Sequence, residues 1–212
     1  MRSRIICLAS ATAVALVAGL FPIVTHAQGD SKLSSLYRES YVLEAKGDYA
    51  GASARVRDAR QASGNSYFAV VRLAWLQYLA GDYAASAFTY ADAVAIDPKA
   101  IEPKIGLTLP LLAAKRWKDL DRACRDVLVI DPQNASARSR LAQALYWNSN
   151  YADSSAAYQK LTAEYPSNLD YKTGLAWALL KQGRTGDARQ IFQAVLIVSP
   201  DNASAKEGLG VR

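Results

Sequence analysis

The chain has 212 residues, of which 51% are hydrophobic and 21% are charged, and its formal net charge is +6. This composition is that of a folded, soluble protein and excludes an intrinsically disordered chain. The length suits one globular domain or one short repeat array. Because alanine is frequent and runs of β-branched residues are few, the composition favours helices.

The N-terminal segment is typical of a secretory signal peptide. Arg2 and Arg4 precede an apolar stretch over residues 5–24, and small residues occupy the cleavage-site positions that follow. We expect residues 1–27 to be removed and the mature protein to begin at Gln28. The protein is then exported, with the periplasm as the expected compartment and secretion as an alternative. An uncleaved membrane anchor is the other alternative, because the apolar stretch is just long enough to span a bilayer.

Removal of this segment changes which chemistry the chain can perform. His26 is the only histidine and Cys7 is one of two cysteines, so the mature chain retains no histidine and only Cys124. A histidine-based triad, a histidine-ligated metal and a thiolate cage are therefore excluded, and no glycine-rich phosphate loop is present. The net charge falls from +6 to +4, which does not favour a polyanion. The sequence predicts a protein that is not an enzyme and has no cofactor, no metal and no nucleic-acid partner. Cys124 itself is expected to be a buried small hydrophobe.

A single constant period runs through the rest of the chain. Prolines recur at positions i and i+34, a leucine column keeps the same spacing, and the tripeptide Gly47-Asp48-Tyr49 recurs as Gly81-Asp82-Tyr83. A column of larger residues has the same period. The proline column is Pro98, Pro132, Pro166 and Pro200, the leucine column is Leu73, Leu107, Leu141 and Leu175, and the larger column is Val56, Tyr90, Cys124, Tyr158 and Phe192.

These columns resemble the tetratricopeptide-repeat family over residues 33–202. The resemblance implies an all-α fold, an α-solenoid in which five antiparallel helix pairs form a right-handed superhelix. It divides the mature chain into a short N-terminal segment at 28–32, five repeat units and a short C-terminal capping helix at 203–212. The five units are 33–66, 67–100, 101–134, 135–168 and 169–202.

Two units depart from the pattern. The first has Glu39 and Ser40 where later units have leucine and alanine, as expected of a polar terminal cap. The third has Gly106 and Pro110 in its first helix. Because an interior proline removes a helical hydrogen bond at a cost of about 3 kcal/mol, we expect a bend or a local weak point there.

Family resemblance places groove-facing side chains near positions 2, 5, 9, 12 and 13 of each unit, on the first helix of each pair. Eight aromatic residues occupy these positions and form the candidate ligand groove. They either bind a ligand or fill gaps between adjacent first helices, since aromatic side chains have a large apolar area to bury. Trp117 lies in the tyrosine column of the turn and is expected to be structural. The eight candidates are Tyr37, Tyr41, Phe68, Trp75, Tyr78, Tyr146, Trp147 and Trp177.

Exposed aromatic clusters beside polar groups commonly mark binding sites. The resemblance therefore implies a non-enzymatic scaffold that binds a protein or peptide partner in its concave groove, within a cell-envelope assembly. The alternative is a carbohydrate-binding or scaffolding role in exopolysaccharide synthesis or secretion machinery. The segment Leu145-Tyr146-Trp147-Asn148 resembles exported repeat arrays that occur in such machinery. No stable membrane span is expected once the signal peptide is removed.

Overall fold

The structure is a computed structural model that describes residues 24–64 and 66–210, with side chains from residue 31 onward. Within this part the regular secondary structure consists of eleven α-helices. Residues 1–23 of the predicted signal peptide lie outside the described residues, and its cleavage stays a prediction. The helices are α1 (Val24–Ala45), α2 (Tyr49–Ser63), α3 (Tyr67–Leu79), α4 (Tyr83–Ile96), α5 (Ile101–Ala113), α6 (Trp117–Ile130), α7 (Ala135–Trp147), α8 (Tyr151–Glu164), α9 (Leu169–Lys181), α10 (Thr185–Val198) and α11 (Ala203–Leu209).

Consecutive helices pack against each other along the whole described chain. Short connections between such helices give five pairs, from α1–α2 to α9–α10, and α11 packs on the last pair. No pair can bury its apolar face alone, so each pair is stabilised by its neighbours. The all-α solenoid that the sequence period predicts is confirmed.

The turn inside each pair requires a left-handed backbone conformation. Gly47, Gly81 and Gly183 have φ angles of 77°, 80° and 79° at this point. Lys115 and Ser149 occupy the same place in the third and fourth pairs and have φ angles of 56° and 64°. Because a side chain makes this conformation unfavourable, these two turns are held in it by the packing of their helices.

The direction of curvature follows from which helices touch across neighbouring pairs. The first helices contact one another in the series α3, α5, α7, α9 and α11. Within the described residues, no two successive second helices are in comparable contact. The first helices therefore lie on the shorter, inner side of the array, and their exposed surface is called the groove below.

Helix α5 runs unbroken through both residues that predicted a weak point. It is helical from Ile101 to Ala113 and contains Gly106 and Pro110, which are both buried. The bend or weak point predicted at Gly106 and Pro110 therefore does not interrupt the helix. Gly106 has a packing role instead, because a Cβ atom there would lie 2.3 Å from Cε1 of Tyr90.

Candidate binding groove

The floor of the groove forms where the second helix of one pair meets the first helix of the next. Tyr90 is buried and its ring lies against Gly106, so the two residues in contact stand at positions i and i+16. The same spacing and contact recur further along the array. A Cβ at Gly174 would lie 2.5 Å from Cζ of Tyr158, and one at Gly208 would lie 2.3 Å from the Phe192 ring. Each of these rings occupies the space that a side chain on the next first helix would otherwise fill.

At the other two junctions the larger residue lies on the first helix and the smaller one on the second helix. At the same spacing of i and i+16, Val56 is matched with Arg72, and Cys124 is matched with Arg140. The residue on the second helix is smaller there, and the long side chain comes from the first helix. Ring junctions and arginine junctions thus alternate from Arg72 to Gly174.

The first ring junction opens a pocket of about 340 Å³, called the proximal pocket. Tyr90 and Gly106 form part of its lining, and Tyr41 and Phe68 are half exposed at 50% and 51%. The complete lining is Tyr41, Tyr67, Phe68, Val71, Arg72, Trp75, Tyr90, Glu102, Ile105 and Gly106.

One wall of the proximal pocket is fixed by a partly buried polar network around Arg72. Its guanidinium donates hydrogen bonds to Ser40 Oγ at 2.9 Å and to Glu44 Oε2 at 2.9 Å. It also lies over the Tyr41 ring, 3.5 Å from the centroid. Glu44 accepts a further hydrogen bond of 2.9 Å from Trp75 Nε1. Arg72 is therefore neutralised within the protein, and Ser40, expected on a polar cap, is fully buried.

The second ring junction opens a larger pocket of about 880 Å³, called the distal pocket. Trp147 is 54% exposed and its indole stacks on Trp117, with centroids 5.4 Å apart and planes at 11°. Trp177 packs edge-on against Phe192, and its Nε1 donates to Ser204 Oγ at 2.9 Å. The complete lining is Gln143, Tyr146, Trp147, Ser149, Tyr151, Tyr158, Asp170, Thr173, Gly174, Trp177, Lys181, Ser204 and Glu207.

Three tyrosines of the two pockets have a raised pKa. Burial, together with the nearby Glu102, raises the pKa of Tyr90 to about 12. Burial and Asp170 raise the pKa of Tyr158, and burial, Tyr151 and Glu207 raise that of Tyr146. These hydroxyls are therefore neutral groups that can donate hydrogen bonds.

Cys124 lies beneath the groove and is fully buried. Burial raises the pKa of its thiol to about 12, although the nearby Arg140 opposes the shift. The thiolate, which is the nucleophilic form, is therefore absent at neutral pH. The prediction that Cys124 acts as a buried small hydrophobe is confirmed.

The structure separates the eight aromatic residues predicted for the groove into two groups. Tyr41, Phe68 and Trp75 line the proximal pocket, and Tyr146, Trp147 and Trp177 line the distal pocket. The other two lie behind the proximal group. Tyr37 packs edge-on against Phe68 with centroids 5.2 Å apart, and Tyr78 packs against Trp75 at 5.6 Å and lines neither pocket. Trp117 supports Trp147 from below, as a structural residue would.

The residues that create the pockets were not predicted from the sequence. Tyr90 and Tyr158 were recognised only as members of the column of larger residues, and Gly106 was expected to contribute to a bend or a weak point in its helix. The signal that could have revealed them is the pairing of residue size between positions i and i+16, where an aromatic residue is matched with glycine and a smaller residue with arginine.

Two further properties concern the described residues, 24–64 and 66–210. They contain no cluster of three or more histidine, cysteine, aspartate or glutamate side chains that could hold a metal ion. None of their helices is both long enough and apolar enough to cross a bilayer.

Stacked helix pairs around an inner aromatic groove define an α-solenoid repeat protein. A family model for the tetratricopeptide repeat matches residues 148–210. Outside this matched segment, the described chain shares the tetratricopeptide-repeat fold with solved structures of that kind. No curated protein sequence matches the chain.

Solved structures with the same fold are similar over most of the chain. A tetratricopeptide repeat protein from Parabacteroides merdae has a TM-score of 0.77 at 17% identity, covering 84% of this chain and 71% of that one. MamA 41-end from Desulfovibrio magneticus RS-1 has a TM-score of 0.75 at 16% identity, covering 81% and 97%. YrrB, described as a TPR protein with an unusual peptide-binding site, has a TM-score of 0.74 at 12% identity, covering 88% and 97%. At these identities the similarity concerns the fold.

Proposed function

We propose that this protein is a non-enzymatic scaffold that binds a protein or peptide partner in its groove, within a cell-envelope assembly. The observation that carries the proposal is the pair of aromatic pockets on the inner face, at equivalent junctions two repeats apart. The expected export signal supports the envelope as the location.

The exposed aromatic surface supports binding over a purely structural role. Phe68 and Trp147 leave about half of their surface open to solvent, although each packs against another ring on one side. Aromatic residues that are held rigidly and remain half exposed are typical of the residues that dominate binding energy at interfaces. Both pockets also carry polar groups at their edges, such as Glu102 and Gln143, which can orient a bound chain.

A peptide suits the groove better than a small molecule. The two pockets are separate, and each is open to solvent along the same face, so a ligand that fills both must be extended. Short peptide segments can bind in this way by placing two separate side chains into the two pockets. The peptide-binding site of YrrB is a property of that protein, and it supports the proposal only by showing that this fold can hold a peptide.

The carbohydrate alternative has one observation in its favour. The Trp147 indole presents a flat face beside Gln143 and Asp170 in the distal pocket. A sugar ring could stack on that face while its hydroxyls bond to the two polar side chains. The proximal pocket has no comparable platform beside amide groups, so we place this role second.

The test compares two matched phenylalanine variants of the tagged mature protein. Phe68 lies in the proximal pocket, whereas Phe88 is 71% exposed on α4, a second helix on the outer side. Phe68→Ala removes a groove contact, and Phe88→Ala removes a similar apolar area elsewhere. In cross-linked pull-downs from the cell envelope, we expect the recovered partner to be lost with Phe68→Ala and retained with Phe88→Ala.

Two outcomes would contradict the proposal. One is equal recovery of the same partners with both variants, which would place the interaction outside the groove. The other is a saturable change of tryptophan fluorescence with a soluble oligosaccharide, lost in Trp147→Ala, without any protein partner. That result would favour the carbohydrate role.

A further inference from the structure

Arg140 is a partly buried cation on the inner helix α7. Its Nη1 donates a hydrogen bond of 2.5 Å to Thr108 Oγ1, and Thr108 in turn donates to the carbonyl of Ile105. Burial lowers the pKa of Arg140, while the nearby Cys124 and Tyr78 oppose that shift. Within the described part of the chain, no carboxylate forms a salt bridge with it. The guanidinium is therefore held in place and keeps unused donors.

Arg72 stands at the same position of its repeat unit as Arg140, and its charge is neutralised by a carboxylate. Two repeat units separate the two arginines, and each donates to a hydroxyl at position i−32. For Arg72 that hydroxyl belongs to Ser40, and a carboxylate from Glu44, at position i−28, completes the site. The residue at i−28 from Arg140 is Leu112. Arg140 therefore has the hydroxyl partner but lacks the carboxylate.

Arg140 also lies between the two aromatic pockets. It precedes Gln143 of the distal pocket by three positions on α7, so both side chains lie on one face of that helix. On its other side its guanidinium reaches Thr108 on α5, the helix that carries Gly106 of the proximal pocket. Arg140 therefore joins the two inner helices α5 and α7, which lie between the pockets.

We infer that Arg140 receives an acidic side chain of the bound peptide, between two apolar side chains that enter the proximal and distal pockets. The inference rests on the proposed function, since it names the chemistry of the peptide that the groove takes. The ligand supplies to Arg140 the carboxylate that Glu44 supplies to Arg72. Arginine and a carboxylate form a forked pair of hydrogen bonds, which also fixes the register of the peptide.

The helix spacing sets the length of the recognised segment. The proximal pocket lies between α3 and α5, and the distal pocket begins at α7, two inner helices further along. Packed helices lie about 8–10 Å apart, so two steps span about 16–20 Å. An extended peptide advances about 3.3 Å per residue and covers this distance in about five or six residues. The apolar anchors should therefore be about five or six residues apart, with the acidic residue near the middle.

Selection from a displayed library of random twelve-residue peptides tests this inference. Four forms of the mature protein are used: the wild type, Arg140→Gln, Leu112→Glu, and the control Arg189→Gln on the outer helix α10. Leu112→Glu is designed to recreate the Arg72–Glu44 pair inside the protein and so to occupy Arg140. Thermal unfolding of each form checks that it is folded. If Leu112→Glu does not fold, the comparison of the wild type with Arg140→Gln is sufficient to test the inference.

The wild type and the Arg189 control should enrich peptides with aspartate or glutamate between two apolar residues at this spacing. Replacing that acid by its amide should weaken binding about tenfold to a hundredfold for both proteins, since hydrogen bonds to charged groups are the stronger ones. For Arg140→Gln and Leu112→Glu the acid and the amide should bind equally.

Each remaining result overturns a specific statement. Peptides that bind the groove but lack acid enrichment, or keep it with Arg140→Gln, would refute the role of Arg140 and leave the proposed function standing. If no peptide is enriched on any folded form, the proposed function fails and the inference fails with it.

Discussion

The contact between Tyr90 and Gly106 makes a quantitative prediction about stability. In Gly106→Ala the new Cβ would lie 2.3 Å from a carbon of the Tyr90 ring, which is 4% exposed and has little room to move. Overpacking of this kind costs about 1–3 kcal/mol. Replacing a glycine inside a helix by alanine gains about 0.5–1 kcal/mol. The overpacking is the larger effect, so we expect Gly106→Ala to lower the free energy of unfolding by about 1 kcal/mol.

The same substitution should have the opposite sign when the ring is absent. Tyr90→Val gives this junction the residue found at Val56 and removes the clash, at a cost of its own from the lost apolar burial. In that background Gly106→Ala should raise the free energy of unfolding by about 0.5–1 kcal/mol, because only the helix-propensity gain remains. The double-mutant cycle is measured by urea unfolding followed by far-ultraviolet circular dichroism. A stabilising effect of Gly106→Ala in the wild-type protein would refute the proposed contact.

Three other predictions concern the turns, the buried ion pair and the thiol. Lys115→Gly and Ser149→Gly should each stabilise the protein by about 0.5–1 kcal/mol in urea unfolding, because both residues have positive φ angles. A loss of stability would show that the contacts of these side chains outweigh the backbone strain. Glu44→Gln should cost about 2 kcal/mol, because it leaves the buried Arg72 charge without its partner, and a change below about 0.5 kcal/mol in the same assay would contradict this. The Cys124 thiol, with a pKa of about 12, should react with an aromatic disulfide reagent only as fast as the protein unfolds, and rapid reaction at neutral pH would contradict its burial.

The sequence predicted the fold well because each repeated column records a contact that recurs in every unit. Leu73 and its counterparts face a partner helix, and Gly47 and its counterparts end the first helix of a pair, so a constant period is sufficient evidence for stacked pairs. Helix α5 was harder, because Gly106 and Pro110 are unfavourable as isolated helical residues. Their effect is offset by tertiary packing that the local sequence does not show.

The candidate site was predicted only in part. Aromatic residues at groove positions can be read from a single unit, which is why Phe68, Trp75 and Trp147 were found. The pockets depend on a pair of residues in two different units, such as Tyr158 and Gly174, and neither member indicates a pocket alone. Arg140 was missed for a similar reason, since its lack of a carboxylate partner becomes evident only by comparison with Arg72 and Glu44.

Photo-cross-linking from inside the groove tests the central claim most directly. A photoreactive benzoyl-phenylalanine is placed at Phe68 in the groove or at Phe88 on the outer side, where both phenylalanines are at least half exposed. In living cells under ultraviolet light, Phe68 should give a discrete covalent adduct with one partner protein, and Trp147→Ala in the same chain should reduce its yield. Phe88 should not give that adduct. The same adduct from Phe88, or no adduct from Phe68 while a partner is still recovered by pull-down, would contradict a binding function for the groove.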